Sequence, residues 1–172
     1  VPEGTGGDIV HQFKYEGWPR LADDMARLMA ARGSGLPRGT PGVLVPVPLG
    51  AARRRERGYN QAHALADALG RRWSMPVVGD ALARARETRS QVPLTPDARS
   101  ANVQGAFVAT ETADVLRGTH VVLVDDVITT AATLTASADA LSLVGPLSIS
   151  FVTFGRARAA WDRGATSRSS KP

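Results

Sequence analysis

The segment from Val121 to Thr133 constrains this chain more than any other stretch. Four apolar residues, Val121, Val122, Leu123 and Val124, lead into Asp125 and Asp126, and then into Val127, Ile128, Thr129, Thr130, Ala131, Ala132 and Thr133. The valines and the upstream Gly118 predict a short strand buried on both faces. The two carboxylates come at its carboxyl end, where open α/β sheets place their ligands. Small hydroxyl and alanine residues then run into an Ala/Leu-rich stretch, 131–143, that reads as a helix. A helix N-terminus offers unbonded N–H groups and the positive end of its dipole to an anion, and threonine hydroxyls add donors. The carboxylates would repel that anion, so they serve another group: either a sugar diol or a Mg²⁺ held nearby. A solvated strand end is the plainer reading, and the ordered succession of strand, acids, hydroxyls and helix argues against it.

This stretch resembles the ribose-phosphate signature of the type I phosphoribosyltransferases, in which four apolar residues and two acids precede Thr-Thr-Gly-Ala-Thr. The resemblance implies that Asp125 and Asp126 hold the ribose hydroxyls of phosphoribosyl pyrophosphate (PRPP). It implies that Thr129, Thr130, Ala131, Ala132 and Thr133 hold the 5′-phosphate. One position departs: Ala131 stands where the family has glycine. If the loop needs a left-handed residue there, a Cβ costs roughly 1–2 kcal/mol, while the N–H donor is kept.

A chain of 172 residues, 43% hydrophobic, can build one domain with a sizeable core, and its sparse aromatics leave that core to Ala, Val and Leu. No run approaches the length of a membrane span, and no signal segment opens the chain, so a cytoplasmic location and no membrane insertion are expected. Zero cysteines exclude a disulfide framework and a cysteine zinc site, and His11, His63 and His120 are scattered without ligand spacing. The formal net charge of +5 is concentrated at the end. After Gly155 come Arg156, Arg158, Arg163, Arg168 and Lys171 against Asp162 alone, which is +4 of that total. Residues 1–155 are therefore expected to form a near-neutral domain, and 156–172 a basic, disordered tail. A solvated tail is the simpler reading of those charges, and contact with nucleic acid or an acidic partner is the rival.

Upstream, Trp18, Leu21, Met25 and Leu28 fall at helical spacing, with Pro19 in the first turn and Gly33 as a stop. Val43, Leu44 and Val45 read as a buried strand, which Pro46 and Pro48 prevent from continuing as a central one. Next comes a stretch read as a loop, from Gly50 to Asn60, carrying Arg53, Arg54, Arg55 and Arg57. Guanidinium forks in such a loop suit a multiply charged anion. Ala62, Leu65, Ala66, Leu69 and Trp73 then repeat at helical spacing behind Asn60, a plausible N-cap. The stretch 81–108 lacks clear periodicity, and 146–154 reads as a last strand. With strands near Val43, Val77, Val121 and Ile149 and helices between them, the expected fold is α/β: a parallel sheet covered by helices on both faces.

The run from Val45 to Leu49, followed by Arg53, Arg55 and the consecutive Arg57, Gly58, Tyr59, Asn60, Gln61 and Ala62, is similar to the signature of the ComF family. These are phosphoribosyltransferase-like proteins associated with bacterial competence for DNA uptake. The similarity continues through Arg84, Arg86, Thr88, Gln91, Leu94, Arg99, Asn102, Gly105, Ala106 and Phe107, and Phe13, Lys14, Tyr15 and Gly17 match the family's start. It spans roughly residues 11–154. Two features depart. Family members often begin with a cysteine zinc finger, and this chain has no cysteine. The family's His-Pro after the Val-Pro-Val-Pro-Leu run is replaced by Gly50 and Ala51, which loosens the loop.

The resemblance implies a mobile antiparallel hood over 81–108, with Arg99 and Asn102 as candidates to reach the sugar. It places Arg53, Arg55 and Arg57 on the pyrophosphate side. The implied chemistry is phosphoribosyl transfer to a base with release of pyrophosphate, in which Mg²⁺ arrives with PRPP rather than through a protein-built metal site. The rival reading is a non-catalytic module in DNA uptake, or a PRPP-sensing regulator, with DNA or a competence-machinery protein as partner.

Overall fold

A computed structural model describes residues 21–33, 40–86, 105–128 and 131–156. In chain order these form α1 (Leu21–Ala30), β1 (Gly42–Pro46), α2 (Ala51–Arg57) and α3 (Gln61–Trp73). There follow β2 (Leu82–Arg84), β3 (Phe107–Ala109), a 3-10 helix (Glu111–Leu116), β4 (His120–Ile128), α4 (Ala132–Ser142) and β5 (Ser148–Arg156). The sheet is parallel in the order β1–β4–β5, and a single parallel bridge from Leu44 to Val77 adds a fourth position beside β1. The α/β class expected from the sequence, with helices against a parallel sheet, is what forms.

Two apolar clusters lie on the two faces. Met25, Leu44, Leu65, Leu69, Val122 and Val124 join α1 and α3 to one face. Val45, Val121, Leu123, Leu134, Leu141, Leu116 and Phe107 join α4, the 3-10 helix and the β2–β3 pair to the other. The alternation along β4 sends successive residues from Val121 to Val124 to opposite clusters, the signature of a central parallel strand. Gly70 lets α3 approach the Val77 segment, because a Cβ there would lie 2.8 Å from the Met75 carbonyl oxygen.

Several expectations need correction. The helix α1 buries Ala22, Met25, Ala26 and Met29, whereas Leu28 is 47% exposed; the alanines, not the bulkier leucine, define its inward face. The arginine-rich stretch is a helix, not a loop. The strand carrying the acids is nine residues long, so Asp125 and Asp126 lie inside it rather than beyond it. On β5, Phe151 is 56% exposed.

Leu82–Arg84 pairs antiparallel with Phe107–Ala109, closing the base of the expected hood. Arg99 and Asn102 lie outside the described residues, as do Thr129, Thr130, the start of the ComF-like pattern and nearly all of the basic tail. No helix among the described residues is long and apolar enough to cross a membrane.

Candidate functional site

The arginine helix follows from its composition. Ala51-Ala52-Arg53-Arg54-Arg55-Glu56-Arg57 contains only good helix formers, and none of its residues is buried, so propensity rather than packing selects the helix. Gly58, at φ +75°, takes the left-handed cap and donates its N–H to the Arg54 carbonyl. The helical spacing separates the arginines. Arg53 and Arg57 share a half-buried face, while Arg54 and Arg55 are exposed. Among the described residues, neither Arg53 nor Arg55 makes an ion pair or hydrogen bond.

Asn60 does two things at once. Its Oδ1 accepts from the Ala62 N–H at 3.1 Å, capping α3, and its Nδ2 donates to the Val47 carbonyl at 3.1 Å. Val47 in turn donates its N–H to the Val124 carbonyl at 2.9 Å, immediately before the acidic pair. Gln61, the first residue of α3, is 2% exposed, and its Oε1 accepts from the Arg57 guanidinium at 3.3 Å. Tyr59 packs among the residues of the α1–α3 cluster. Burial pushes its phenol above the usual value of 10; the neighbouring Gln61 amide and the Arg57 charge pull it down, and the Asp126 carboxylate pushes it up.

The adjacent carboxylates diverge. Asp125 is half-buried and lines a hollow of about 20 Å³ with Val127, Ile128, Ala131, Ala132, Thr133 and Leu134. Asp126 is 8% exposed and near enough to Tyr59 to act on its ionisation. The strand is irregular at this point. The Asp126 N–H donates to Asp125 Oδ1 at 2.9 Å, and the Val127 N–H donates to Asp126 Oδ1 at 2.7 Å. Such local bonds compete with the ladder, and beyond them the alternation slips: Val127 packs in the α1–α3 cluster and Ile128 in the other.

Ala131 takes the left-handed conformation, at φ +59° and ψ −9°, as the N-cap of α4. That is the geometry for which a glycine is suited, so its methyl group is strained where a glycine would not be. Alanine has no side chain with which to cap, and the first-turn residues Ala132, Thr133 and Leu134 line the hollow beside Asp125. Roughly one water fits in that hollow, so a phosphate entering it has to widen it. A roomier open hollow of about 460 Å³, lined by Asp67, Gly70, Arg71, Ser74, Met75 and Val77, lies at the far end of α3 and shares no residue with the acidic pair.

The structure thus brings Asp125 together with Ala131, Ala132 and Thr133, and Arg57 together with Tyr59, Gln61 and Asp126. Tyr59 and Gln61 were visible in the sequence as part of a motif without a role; their signal was a polar pair flanking a helix cap just after an arginine. No three acidic, histidine or cysteine side chains gather among the described residues to hold a metal. Two adjacent carboxylates, each with one oxygen engaged by the next amide, suit a Mg²⁺ that keeps most of its ligands from substrate and water.

The phosphoribosyl transferase domain profile matches residues 12–167. The chain is 34% identical over 139 residues to the DNA utilization protein YhgH of Salmonella typhi, covering 77% of this chain and 59% of that protein. It is 32% identical over 143 residues to competence protein F of Haemophilus influenzae, covering 80% and 62%. It therefore spans about three fifths of the length of these relatives. Among solved structures it is similar to the hypoxanthine phosphoribosyl transferase of Trypanosoma cruzi, at 19% identity and a TM-score of 0.47 over 91% of this chain and 85% of that one. With the domain matched across most of its length and relatives of these names, the chain belongs to the ComF family of proteins built on a phosphoribosyltransferase-like domain.

Proposed function

We propose that the domain binds PRPP, or a closely related sugar phosphate, with the two sides of the molecule recognised on the two sides of the acidic pair. The observation that carries this reading is the divergence of Asp125 and Asp126. One carboxylate faces a helix N-terminus suited to a phosphate; the other faces an arginine-bearing motif suited to a pyrophosphate. A sugar lying across β4 would present its hydroxyls to the carboxylates between them.

In the transfer reaction the bond from C1 of the ribose to the pyrophosphate oxygen breaks, a bond from C1 to a base nitrogen forms, and pyrophosphate departs with its electron pair. This asks for little covalent chemistry from the protein. It asks for a sugar fixed in place and for charge near the leaving group. Asp125 and Asp126 would orient the ribose and share Mg²⁺ with the substrate, the α4 N-terminus and the Thr129–Thr133 loop would hold the 5′-phosphate, and Arg57 with Arg53 would face the pyrophosphate. When bound, Mg²⁺ supplies charge neutralisation on the diphosphate. Arg55, exposed on α2, would reach that group only by extending over the site. A cytoplasmic setting accompanies such a substrate.

A second reading is a DNA-handling module that uses the same fold without turnover. It is favoured by four arginines on a helix that buries none of its residues, which is more cationic surface than one pyrophosphate needs, and by relatives named for competence and DNA utilization. Calorimetric titration of PRPP with and without Mg²⁺, into the wild type and the Asp125→Asn/Asp126→Asn variant, decides between them. Magnesium-dependent binding that the variant weakens 100-fold or more supports the sugar-phosphate site. No heat at millimolar PRPP, with salt-sensitive retention of single-stranded DNA, moves the reading to the DNA module.

A further inference from the structure

The segment Arg57-Gly58-Tyr59-Asn60-Gln61 contributes one arginine to the proposed pyrophosphate side, yet its other polar side chains point into the protein. Asn60 connects three elements: it caps α3 through Oδ1, and through Nδ2 it bonds the Val47 carbonyl, whose own N–H bonds Val124 on β4. The cap alone would be served by a serine or threonine hydroxyl. Only a longer side chain with both an acceptor and a donor can also bond Val47. Gln61 makes a second link. Arg57 is donor-only, so the Gln61 carbonyl oxygen must face it, and the Nε2 is turned the other way, toward the Tyr59 side. That Nε2 is buried and makes no hydrogen bond of good geometry. A purely structural helix start would place an apolar residue here, because an unsatisfied buried donor is costly.

Resting on the reading of the site as one for PRPP, we propose that Asn60 and Gln61 are positioning residues that fix the span between the arginine helix α2 and the acidic pair on β4. Asn60 acts through Val47 and Val124, and Gln61 acts through Arg57. Neither has to touch the ligand. The helix α2 has no buried residue to locate it against the core, so these side-chain bonds take the place that packing has elsewhere. Their loss leaves the sugar side intact and lets the pyrophosphate side drift. Discrimination between PRPP and ribose 5-phosphate, which lacks the pyrophosphate, is the property they control.

The test compares the affinity of the full chain for PRPP and for ribose 5-phosphate, in Mg²⁺, in the wild type, Asn60→Ser and Gln61→Met. Serine keeps an oxygen to cap α3 but cannot bond Val47; methionine keeps the volume of glutamine but not its amide. Ribose 5-phosphate serves as the internal measure of correct folding. The expected result is a fall of about tenfold in the preference for PRPP in each variant, with ribose 5-phosphate affinity changed less than twofold. Equal losses for both ligands, or an unchanged preference, overturn the assignment while leaving the site itself standing. A wild type that binds neither ligand overturns the reading of the site and this inference together.

Discussion

On the arginine side of the acidic pair, side chains do the holding. Asn60 caps α3 and bonds Val47, Gln61 receives Arg57, and Tyr59 sits among apolar residues, near enough to Asp126 to feel its charge. On the loop side the holding is done by backbone. Ala131 caps α4 without a side-chain bond and in a left-handed conformation that its Cβ disfavours. The first arrangement rests on the α1–α3 layer. The second has no side-chain cap and carries backbone strain instead. Under the proposed reading one anion would be held by side chains and the other by a strained backbone, and each half should fail in its own way.

The largest effect should come from removing the support of the side-chain-held half. Leu65 is fully buried in α3, one turn beyond Gln61, among Met25, Leu44, Leu69 and Val122. Leu65→Ala removes apolar volume there and leaves a cavity, so unfolding in urea should show a loss of about 2–5 kcal/mol. If that half is held by its layer as well as by its hydrogen bonds, PRPP preference should weaken before the fold is lost. A variant that loses stability while keeping its ligand preference unchanged would show that the motif's side-chain bonds suffice without the layer.

A smaller effect, of opposite sign, is expected on the loop side. Ala131→Gly relieves a left-handed alanine at roughly 1–2 kcal/mol, offset by the roughly 0.5–1 kcal/mol of extra chain entropy that glycine loses on folding. The net gain should be about 0.5–1 kcal/mol in the melting equilibrium. The affinity for a 5′-phosphate should rise a few-fold, because the loop can then adopt its cap without strain while it widens. A loss of stability in this variant would mean that φ +59° is not the conformation held in solution, and the contrast between the two halves would collapse.

How much of this could be read from the residues follows from what kind of force sets each feature. The parallel sheet was legible because burial on both faces writes continuous valine and leucine runs at 43–45 and 121–124. The cap at Asn60 was legible because it depends on one side chain beside an apolar repeat. The family's glycine marked residue 131 as a place where a left-handed backbone would cost an alanine, and the observed φ of +59° meets that condition. The helix α2 was not legible as a helix, since seven residues with no apolar stripe carry only propensity, and four arginines suggested a loop. The inward face of α1 was misread for a related reason: Ala22 and Ala26 are too small to stand out against Leu28. The divergence of Asp125 and Asp126 depends on hydrogen bonds between each carboxylate and the following amide, and no spacing rule records those.

The smallest predicted effect tests the seam between the halves, where Tyr59 meets Asp126. The phenol is pushed above its ordinary value, first by burial and further by the Asp126 charge, against the opposing pull of Gln61 and Arg57. Below pH 10 the folded and unfolded chains both keep this proton, and Tyr59 adds no pH dependence. As the pH rises through 10 the unfolded chain releases it first, so the unfolded state is favoured and stability falls until the folded value is reached. Stability of wild type and Tyr59→Phe, compared by urea unfolding from pH 8 to 11, should therefore differ by a constant up to about pH 10. Above that, the wild type should decline relative to the variant. A difference that stays constant to pH 11 would mean that the Tyr59 phenol is not buried in solution as it is here, and the packing of the arginine motif on the α1–α3 layer would have to be redrawn.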